Sequence, residues 1–122
     1  MESVMIRIFV EVPTFTKKWI SMGFTDDDLV ELQNILLNDP GTGNIMEGTG
    51  GLRKMRFAFK GKGKSGSARV CYVDFAAFEK IYLLQVFSKD EKANLSKEEK
   101  NSVKKMIGIL REEASKDWRH TK

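Results

Sequence analysis

The feature that most constrains the fold is a period-two pattern in the middle of the chain, at residues 52–59. Apolar and cationic side chains alternate there, which places Met55, Phe57 and Phe59 on one face of a strand and Lys54 and Arg56 on the other. A strand with two such faces belongs in a sheet that is packed on one side and presents positive charge on the other.

Three further strands are predicted from similar patterns. The first, at 6–12, places Ile6, Ile8, Val10 and Val12 on one face, and Pro13 ends it. The others, at 69–75 and 81–87, follow the basic strand, and the glycine- and lysine-rich segment 61–67 is predicted to be a flexible hairpin connection.

Three helices complete the pattern. The first has apolar residues at helical spacing, namely Phe15, Trp19 and Ile20, and is expected to end near Gly23. The second begins at Thr25 with acidic residues in its first turn and ends at 38–41, and its buried stripe is Leu29, Leu32, Ile35 and Leu36. The third opens on a capping box of Ser96 and Glu99, runs to about Lys116, and buries Val103, Met106, Ile107 and Leu110.

This element order predicts an α+β fold. We expect an antiparallel sheet of about four strands, two N-terminal helices and a C-terminal helix, with the helices covering one face of the sheet. A chain of 122 residues is the size of one domain, here 1–122, with a flexible tail from about residue 117. Neither a signal peptide nor an apolar run of about 18 residues is present, so a cytoplasmic, membrane-free protein is expected.

The positive charge of the chain is concentrated in one segment. The whole chain carries a net charge of +4, yet the stretch between Glu47 and Asp74 contains no acid and seven bases: Arg53, Lys54, Arg56, Lys60, Lys62, Lys64 and Arg69. The remainder is therefore net negative, and this segment should create a local positive field.

Several kinds of site are disfavoured by the residues present. The run Gly63-Lys64-Ser65 resembles the end of a nucleotide-binding loop, but its first required glycine falls at Ala58, inside a strand, and no helix follows. Cys71 lies between apolar residues and is interpreted as buried, and no disulfide can form within the chain. His120 is the only histidine and lies in a polar tail, so neither a metal nor another cofactor is expected.

Cationic chemistry on a phosphodiester is what the sequence favours. Arginine binds two phosphate oxygens at once and stays charged, and lysine can transfer a proton when neighbouring positive charges lower its pKa. Lys54 and Arg56 share a sheet face and Arg69 begins the adjoining strand, so the three could converge on one phosphate. The same residues would equally suit a passive RNA-binding sheet, and composition does not decide between the two.

The segment from residue 40 to the C-terminal helix resembles the HigB-type branch of the RelE toxin superfamily. The most specific parts are GTGGLRK, the K-G-K-G-K hairpin at 60–64, Ser67 with Arg69, and the K-x-E piece at 89–91. The resemblance implies a toxin of a bacterial toxin–antitoxin pair that enters the ribosomal A site and cuts mRNA without a metal. It also implies a partner antitoxin, expected to be a small helix-turn-helix protein encoded nearby.

By position, the resemblance assigns roles to individual residues. Those implied to be catalytic are Lys54, Arg56, Arg69 and Lys89, and those expected to bind RNA are Arg53, Lys60, Lys62 and Lys64. The chain departs from RelE in two places: Asp90 stands where RelE has an arginine, and 94–96 contain no tyrosine. The residue that transfers protons therefore stays open between Lys89, Lys62 and Lys64, and Tyr72 and Tyr82 are interpreted as structural.

Two other functions compete with the endoribonuclease. One is a catalytically inert RNA- or ribosome-binding domain that keeps the basic surface. The other is a DNA-binding module, which is disfavoured because no helix has a basic face opposite its core stripe. The codon preference, the identity of the antitoxin and the oligomeric state are not encoded in any recognisable pattern.

Overall fold

A five-stranded mixed sheet lies between helices in the computed structural model, which describes residues 6–61, 64–91 and 94–121 and only the backbone of 60–61, 64–65 and 120–121. The strands are β1 (Ile8–Glu11), β2 (Asn44–Ile45), β3 (Arg53–Gly61), β4 (Lys64–Phe75) and β5 (Lys80–Ser88). The helices are α1 (Pro13–Ser21), α2 (Asp26–Asn38) and α3 (Lys97–Thr121), with a short 3₁₀ turn at Ala76–Phe78.

The strand order is β1-β5-β4-β3-β2, and it corrects the expected sheet in number and direction. The pairs from β2 to β5 are antiparallel, as expected, but β1 runs parallel to β5, and the two-residue β2 was not predicted. A period-two pattern identifies a strand without giving the direction of its neighbour, and two residues are too few to show a period.

The hairpin between β3 and β4 is tighter than the expected loop at 61–67. The strands stay paired from Arg53 opposite Tyr72 as far as Gly61 opposite Lys64. The turn itself, at residues 62–63, lies outside the described residues. The basic segment is therefore mostly strand, because each extra pair adds hydrogen bonds to the antiparallel ladder.

Helices cover both faces of the sheet, whereas the sequence analysis expected one covered face. On one face, α1 and α2 pack on the sheet through buried side chains that include Phe15, Trp19, Leu32, Phe57 and Val70. On the other, α3 packs through Ile107 and Ala114 against side chains that include Leu52, Val73 and Leu84. Strands that are apolar on both faces, such as β4 at residues 70–73, require this two-sided covering.

Local signals account for the ends of the N-terminal helices. Pro13 begins α1, where its missing amide hydrogen costs nothing, and Gly23 follows the helix with a φ of +86°. Thr25 caps α2 in a reciprocal capping box with Asp28, as its position predicts. Ile20, expected in the core, is 66% exposed because the core stripe of α1 is carried by Phe15 and Trp19.

The last helix is longer than expected. Its capping box is present, with Ser96 N donating to Glu99 Oε1 at 3.0 Å, but the helix continues past Lys116 to Thr121. Lys80 Nζ and Asp117 Oδ2 pair at 2.8 Å, which ties the final turns to β5. Met106 is 38% exposed instead of buried, because the core stripe follows the spacing of Val103, Ile107, Leu110 and Ala114. Within the described residues, no helix combines the length and the apolar character needed to cross a membrane.

The glycine-rich segment before β3 fastens α3 to the sheet. Thr49 is fully buried, and its hydroxyl donates to Met46 O and accepts from Leu52 N at 3.1 Å. Positive φ angles at Gly48, Gly50 and Gly51 allow this turn. Arg111 Nη2 of α3 donates to Gly50 O at 3.0 Å. The GTGG motif thus has a clear packing role.

Candidate active site

Three cationic side chains share the α3-side face of the sheet beyond the part that α3 covers. The β3–β4 register sets Arg56 directly opposite Arg69, and Lys54 opposite Cys71. On the other side of β4, Arg69 lies opposite Phe87 of β5. The structure therefore brings Lys54, Arg56 and Arg69 onto one surface, as the strand period predicts.

Arg69 is the electrostatically unusual member of this group. Its Nη1 is a buried nitrogen, and it is the only buried side-chain nitrogen or oxygen without a hydrogen-bond partner in the described part of the chain. Like charges directly opposite each other in a sheet destabilise it, and here the facing residue is Arg56. A buried, unsatisfied cationic group next to a second cation favours binding of an anion with several acceptor oxygens.

Surface cavities extend the site on both sides of the arginine pair. Arg56 and Lys89 line one cavity of about 730 Å³. Lys54 lines a second of about 450 Å³, between α1, the end of β5 and the start of α3. Lys89, the fourth residue with an implied catalytic role, thus lines the same cavity as Arg56.

The residues expected to bind RNA do not all join this surface. Arg53 belongs to the face of β3 opposite that of Lys54 and Arg56. Its guanidinium donates to Gly43 O at 2.7 Å, so it fastens the loop before β2. Lys60 and Lys64 belong to the paired ends of β3 and β4, where the backbone alone is described, and Lys62 lies outside the described residues.

Two carboxylates at the larger cavity were not singled out by the sequence analysis. Asp90, next to Lys89, and Glu31 of α2 both line it. Asp90 was noticed only as a departure from RelE, although its position beside Lys89 was a usable signal. Glu31 was not detectable, because its approach to the site depends on how α2 packs on the sheet.

Glu91 fixes the segment that carries Lys89 and Asp90. Its carboxylate accepts from Ser88 N at 3.0 Å and from Lys18 Nζ of α1 at 3.1 Å. The backbone hydrogen bond from Ser88, and then the Lys18 contact, hold the pKa of Glu91 below its usual value. Ionisation strengthens both bonds, and the ion pair with Lys18 requires it, so near neutral pH this segment is held to β5 and α1.

The two tyrosines have structural partners away from the cationic row. The Tyr72 hydroxyl donates to Pro40 O at 2.7 Å and accepts from Gly43 N at 3.0 Å, and burial raises its pKa. Burial, followed by the nearby Glu113 carboxylate, raises the pKa of Tyr82 to about 12. These contacts agree with the structural interpretation of both residues.

Cys71 is buried, as its apolar neighbours in the sequence predict. Only 2% of it is exposed, and burial raises its thiol pKa to about 11 although Lys54 opposes the shift. The thiol is therefore protonated near neutral pH and unsuited to nucleophilic attack. Among the described residues, no group of three or more His, Cys, Asp or Glu side chains is arranged to hold a metal ion.

Together, these features define a class of protein: a small α+β domain whose sheet carries a cationic row suited to a phosphodiester. The family model for the RelE toxin of the RelE/RelB toxin–antitoxin system matches residues 7–120, a span that includes every strand and most of α3. The chain belongs to the RelE family, which confirms the resemblance to the RelE superfamily found in the sequence. It is thus a toxin of a toxin–antitoxin system, its family implies an antitoxin partner, and toxins of this family are generally ribonucleases.

Proposed function

We propose that this protein is a HigB-type endoribonuclease that cuts mRNA in the ribosomal A site of the cytoplasm, without a metal ion, and so inhibits translation. The observation that carries the proposal is the arginine pair: Arg69 lies opposite Arg56 across the strands, and the buried Nη1 of Arg69 lacks a hydrogen-bond partner. A phosphodiester in transfer gains negative charge on its nonbridging oxygens, and a fixed pair of guanidinium groups stabilises that charge.

The reaction would use the hydroxyl group of the RNA itself. The 2′-oxygen forms a bond to phosphorus while the bond from phosphorus to the 5′-oxygen of the next nucleotide breaks. One group accepts the 2′-hydroxyl proton and another returns a proton to the departing oxygen. The products are a 2′,3′-cyclic phosphate and a free 5′-hydroxyl, with no external nucleophile consumed.

Each residue of the site has a role in this scheme. Arg56 and Arg69 bind the nonbridging oxygens, and Lys54 holds the neighbouring backbone phosphate or orients the 2′-hydroxyl. Lys89 and Asp90 line the cavity next to Arg56 and are the candidates for proton transfer. Lys60, Lys62 and Lys64 would add electrostatic attraction to RNA along the hairpin.

The experiment compares Arg69→Ala with Arg119→Ala, a matched removal of an exposed arginine at the far end of α3. Single-turnover cleavage of a ribosome-bound message should fall roughly a hundred- to thousandfold for Arg69→Ala and stay unchanged for Arg119→Ala. Ribosome affinity, measured in parallel, should fall little for either variant. Cleavage at the normal rate by Arg69→Ala would refute the proposed site.

The ends of the cut RNA test the mechanism separately from the site. Attack by the 2′-hydroxyl leaves a cyclic phosphate, whereas hydrolysis by a metal-bound water typically leaves a 3′-hydroxyl and a 5′-phosphate. Mapping the ends avoids the complication that ribosomes themselves need magnesium. A 3′-hydroxyl at the cut would contradict the metal-independent scheme.

A second function, an inert RNA- or ribosome-binding domain, is favoured by one observation. No described tyrosine lies at the cationic row, and the two in the strands are held in structural contacts. The two functions differ when the protein is expressed in cells. An enzyme should arrest growth in a way that the triple variant Lys54→Ala, Arg56→Ala, Arg69→Ala relieves, with mapped cuts in translated messages, whereas an inert binder would produce no cuts.

The antitoxin is proposed to be a small helix-turn-helix protein with an acidic surface. Support comes from the seven bases between Glu47 and Asp74, which would attract such a surface from a distance. The association rate constant should fall as salt is added, because screening weakens long-range attraction. An association rate that ignores ionic strength would contradict the electrostatic part of this proposal.

A further inference from the structure

The K-x-E piece at 89–91 ends in a residue, Glu91, that the proposed reaction leaves without a role. The pairing of β5 with β4 ends at Ser88, so the ladder of the sheet does not hold the residues that follow. Lys89 and Asp90 come next, and both are exposed and line the larger cavity of the site. A proton-transfer group must stay close to the reacting atoms, so the backbone beneath it has to be fixed by other contacts.

Glu91 closes this segment into a turn with both its backbone and its side chain. Its amide nitrogen donates to Ser88 O at 3.0 Å. Its Oε1 accepts from Ser88 N at 3.0 Å and from Ser88 Oγ at 3.3 Å. Lys89 and Asp90 are thus the central residues of a β-turn whose ends are joined by three hydrogen bonds.

The second carboxylate oxygen of Glu91 ties this turn to α1. Its Oε2 accepts from Lys18 Nζ at 3.1 Å. The helix that carries Lys18 is itself well fixed, because Phe15 and Trp19 bury its inner face in the core. Each oxygen of Glu91 therefore has its own anchor, one at the end of β5 and one on α1.

Glu91 is not suited to act on the RNA directly. It lines the cavity of about 450 Å³, whereas Lys89 and Arg56 line the cavity of about 730 Å³. Its oxygens already bind other groups, and its negative charge would repel a phosphate. Any influence of Glu91 on cleavage would therefore pass through the turn that it closes.

We propose that Glu91 is a positioning residue, which closes and anchors the turn so that Lys89 stays within reach of the phosphate bound by Arg56 and Arg69. The inference rests on the proposed endoribonuclease activity and gives a role to the last residue of the K-x-E piece. Without Glu91, Lys89 would spend only part of its time in a productive position, and cleavage would slow while RNA binding stayed intact.

A double-mutant cycle between Glu91 and Lys89 tests this role, with the whole protein and ribosomes that carry a message. Single-turnover cleavage should fall roughly tenfold to a hundredfold for Glu91→Ala, the effect of a displaced reacting group. It should fall roughly a hundredfold or more for Lys89→Ala. Because Glu91 acts through Lys89, the double variant should be at most about twofold slower than Lys89→Ala. Glu112→Ala, which removes an exposed carboxylate of α3, should cut at the normal rate.

Two milder variants take the anchors apart. Glu91→Gln keeps an acceptor oxygen for Ser88 N, so it should cut within about fivefold of the wild type. Lys18→Met leaves the turn closed and removes only the exposed ion pair, so it should cut about twofold to fivefold slower. Ribosome affinity, measured in parallel, should change little for every variant, because none of these changes removes a residue of the cationic row.

The outcomes separate this inference from the proposed function. A wild type that cuts no RNA would refute the activity, and the positioning role with it. If the wild type cuts, normal cleavage by Glu91→Ala or Lys89→Ala would refute the positioning role alone. A loss from Glu91→Ala that recurs in full in the Lys89→Ala background would do the same. Should Glu91→Ala fail to fold, the cycle is run with Lys18→Met, and a loss that persists without Lys89 would overturn the inference.

Discussion

Arg69, to which the proposed reaction assigns phosphate binding, opposes the stability of its own fold. Its buried Nη1 has no partner and its neighbour across the strands is another arginine, so the free protein bears a cost that a bound phosphate would relieve. The strand phase of Arg56 was predictable from the alternation of 52–59. The burial of one Arg69 nitrogen was not, because it depends on the neighbouring strand, which no local pattern specifies.

Replacing that cation by an apolar side chain should therefore stabilise the protein while inactivating it. For Arg69→Met we expect a free energy of unfolding higher by about 1–3 kcal/mol, the usual cost of an unsatisfied buried group. Urea denaturation of the RNA-free protein measures this, with Arg119→Met as the control. A less stable Arg69→Met protein would mean that the guanidinium stem contributes more by packing than its charge costs.

At the scale of elements, the segment at 48–51 links the sheet to α3. Gly50 has a φ of +78°, its carbonyl accepts from Arg111, and a Cβ there would lie 3.3 Å from Lys104 Cγ. In the sequence alone, this motif indicates only the family. The packing role of this motif depends on its contact with α3, and a contact between segments so far apart in the sequence produces no periodic pattern.

Two glycine substitutions should have opposite effects on stability. Gly50→Ala should destabilise the protein by about 1 kcal/mol or more, because alanine is strained at positive φ. Gly108→Ala, in the middle of α3 with no atom within 4 Å of the added carbon, should stabilise it by about 0.5–1 kcal/mol. Thermal unfolding of both variants tests the pair, and equal shifts in one direction would contradict the assignment.

Over the whole molecule, the main architectural prediction that was wrong is the number of covered sheet faces. Helices were expected on one face, and they cover both. The family motifs and strand patterns predicted the α+β class and the antiparallel core from β3 to β5. They did not reveal that α3 packs on the face opposite α1 and α2, although the apolar run in β4 was compatible with it. Alternation shows which residues share a face, and only packing shows what covers it.

The doubly covered sheet makes the protein sensitive to alkaline pH. Burial raises the pKa of Cys71 to about 11 and that of Tyr82 to about 12, so the folded state favours the protonated forms. Their contribution to stability is complete below the unfolded-state values, near 9 and 10, and is lost as the pH rises toward 11 and 12. In denaturation experiments from pH 8 to 11.5, Tyr82→Phe should lose stability less steeply than the wild type. Parallel pH profiles would contradict the assignment to Tyr82.

The Lys18–Glu91 ion pair lies at the cavity that Lys54 lines, and its lysine belongs to α1. It joins α1 to the segment that presents Lys89, and both partners are about two-fifths exposed, so the bond is weak enough to break at little cost. A protein that binds α1 and separates Lys18 from Glu91 would loosen the segment that carries Lys89 without contacting the cationic row. A toxin inhibited in this way would keep its cationic row exposed to solvent while bound to its inhibitor.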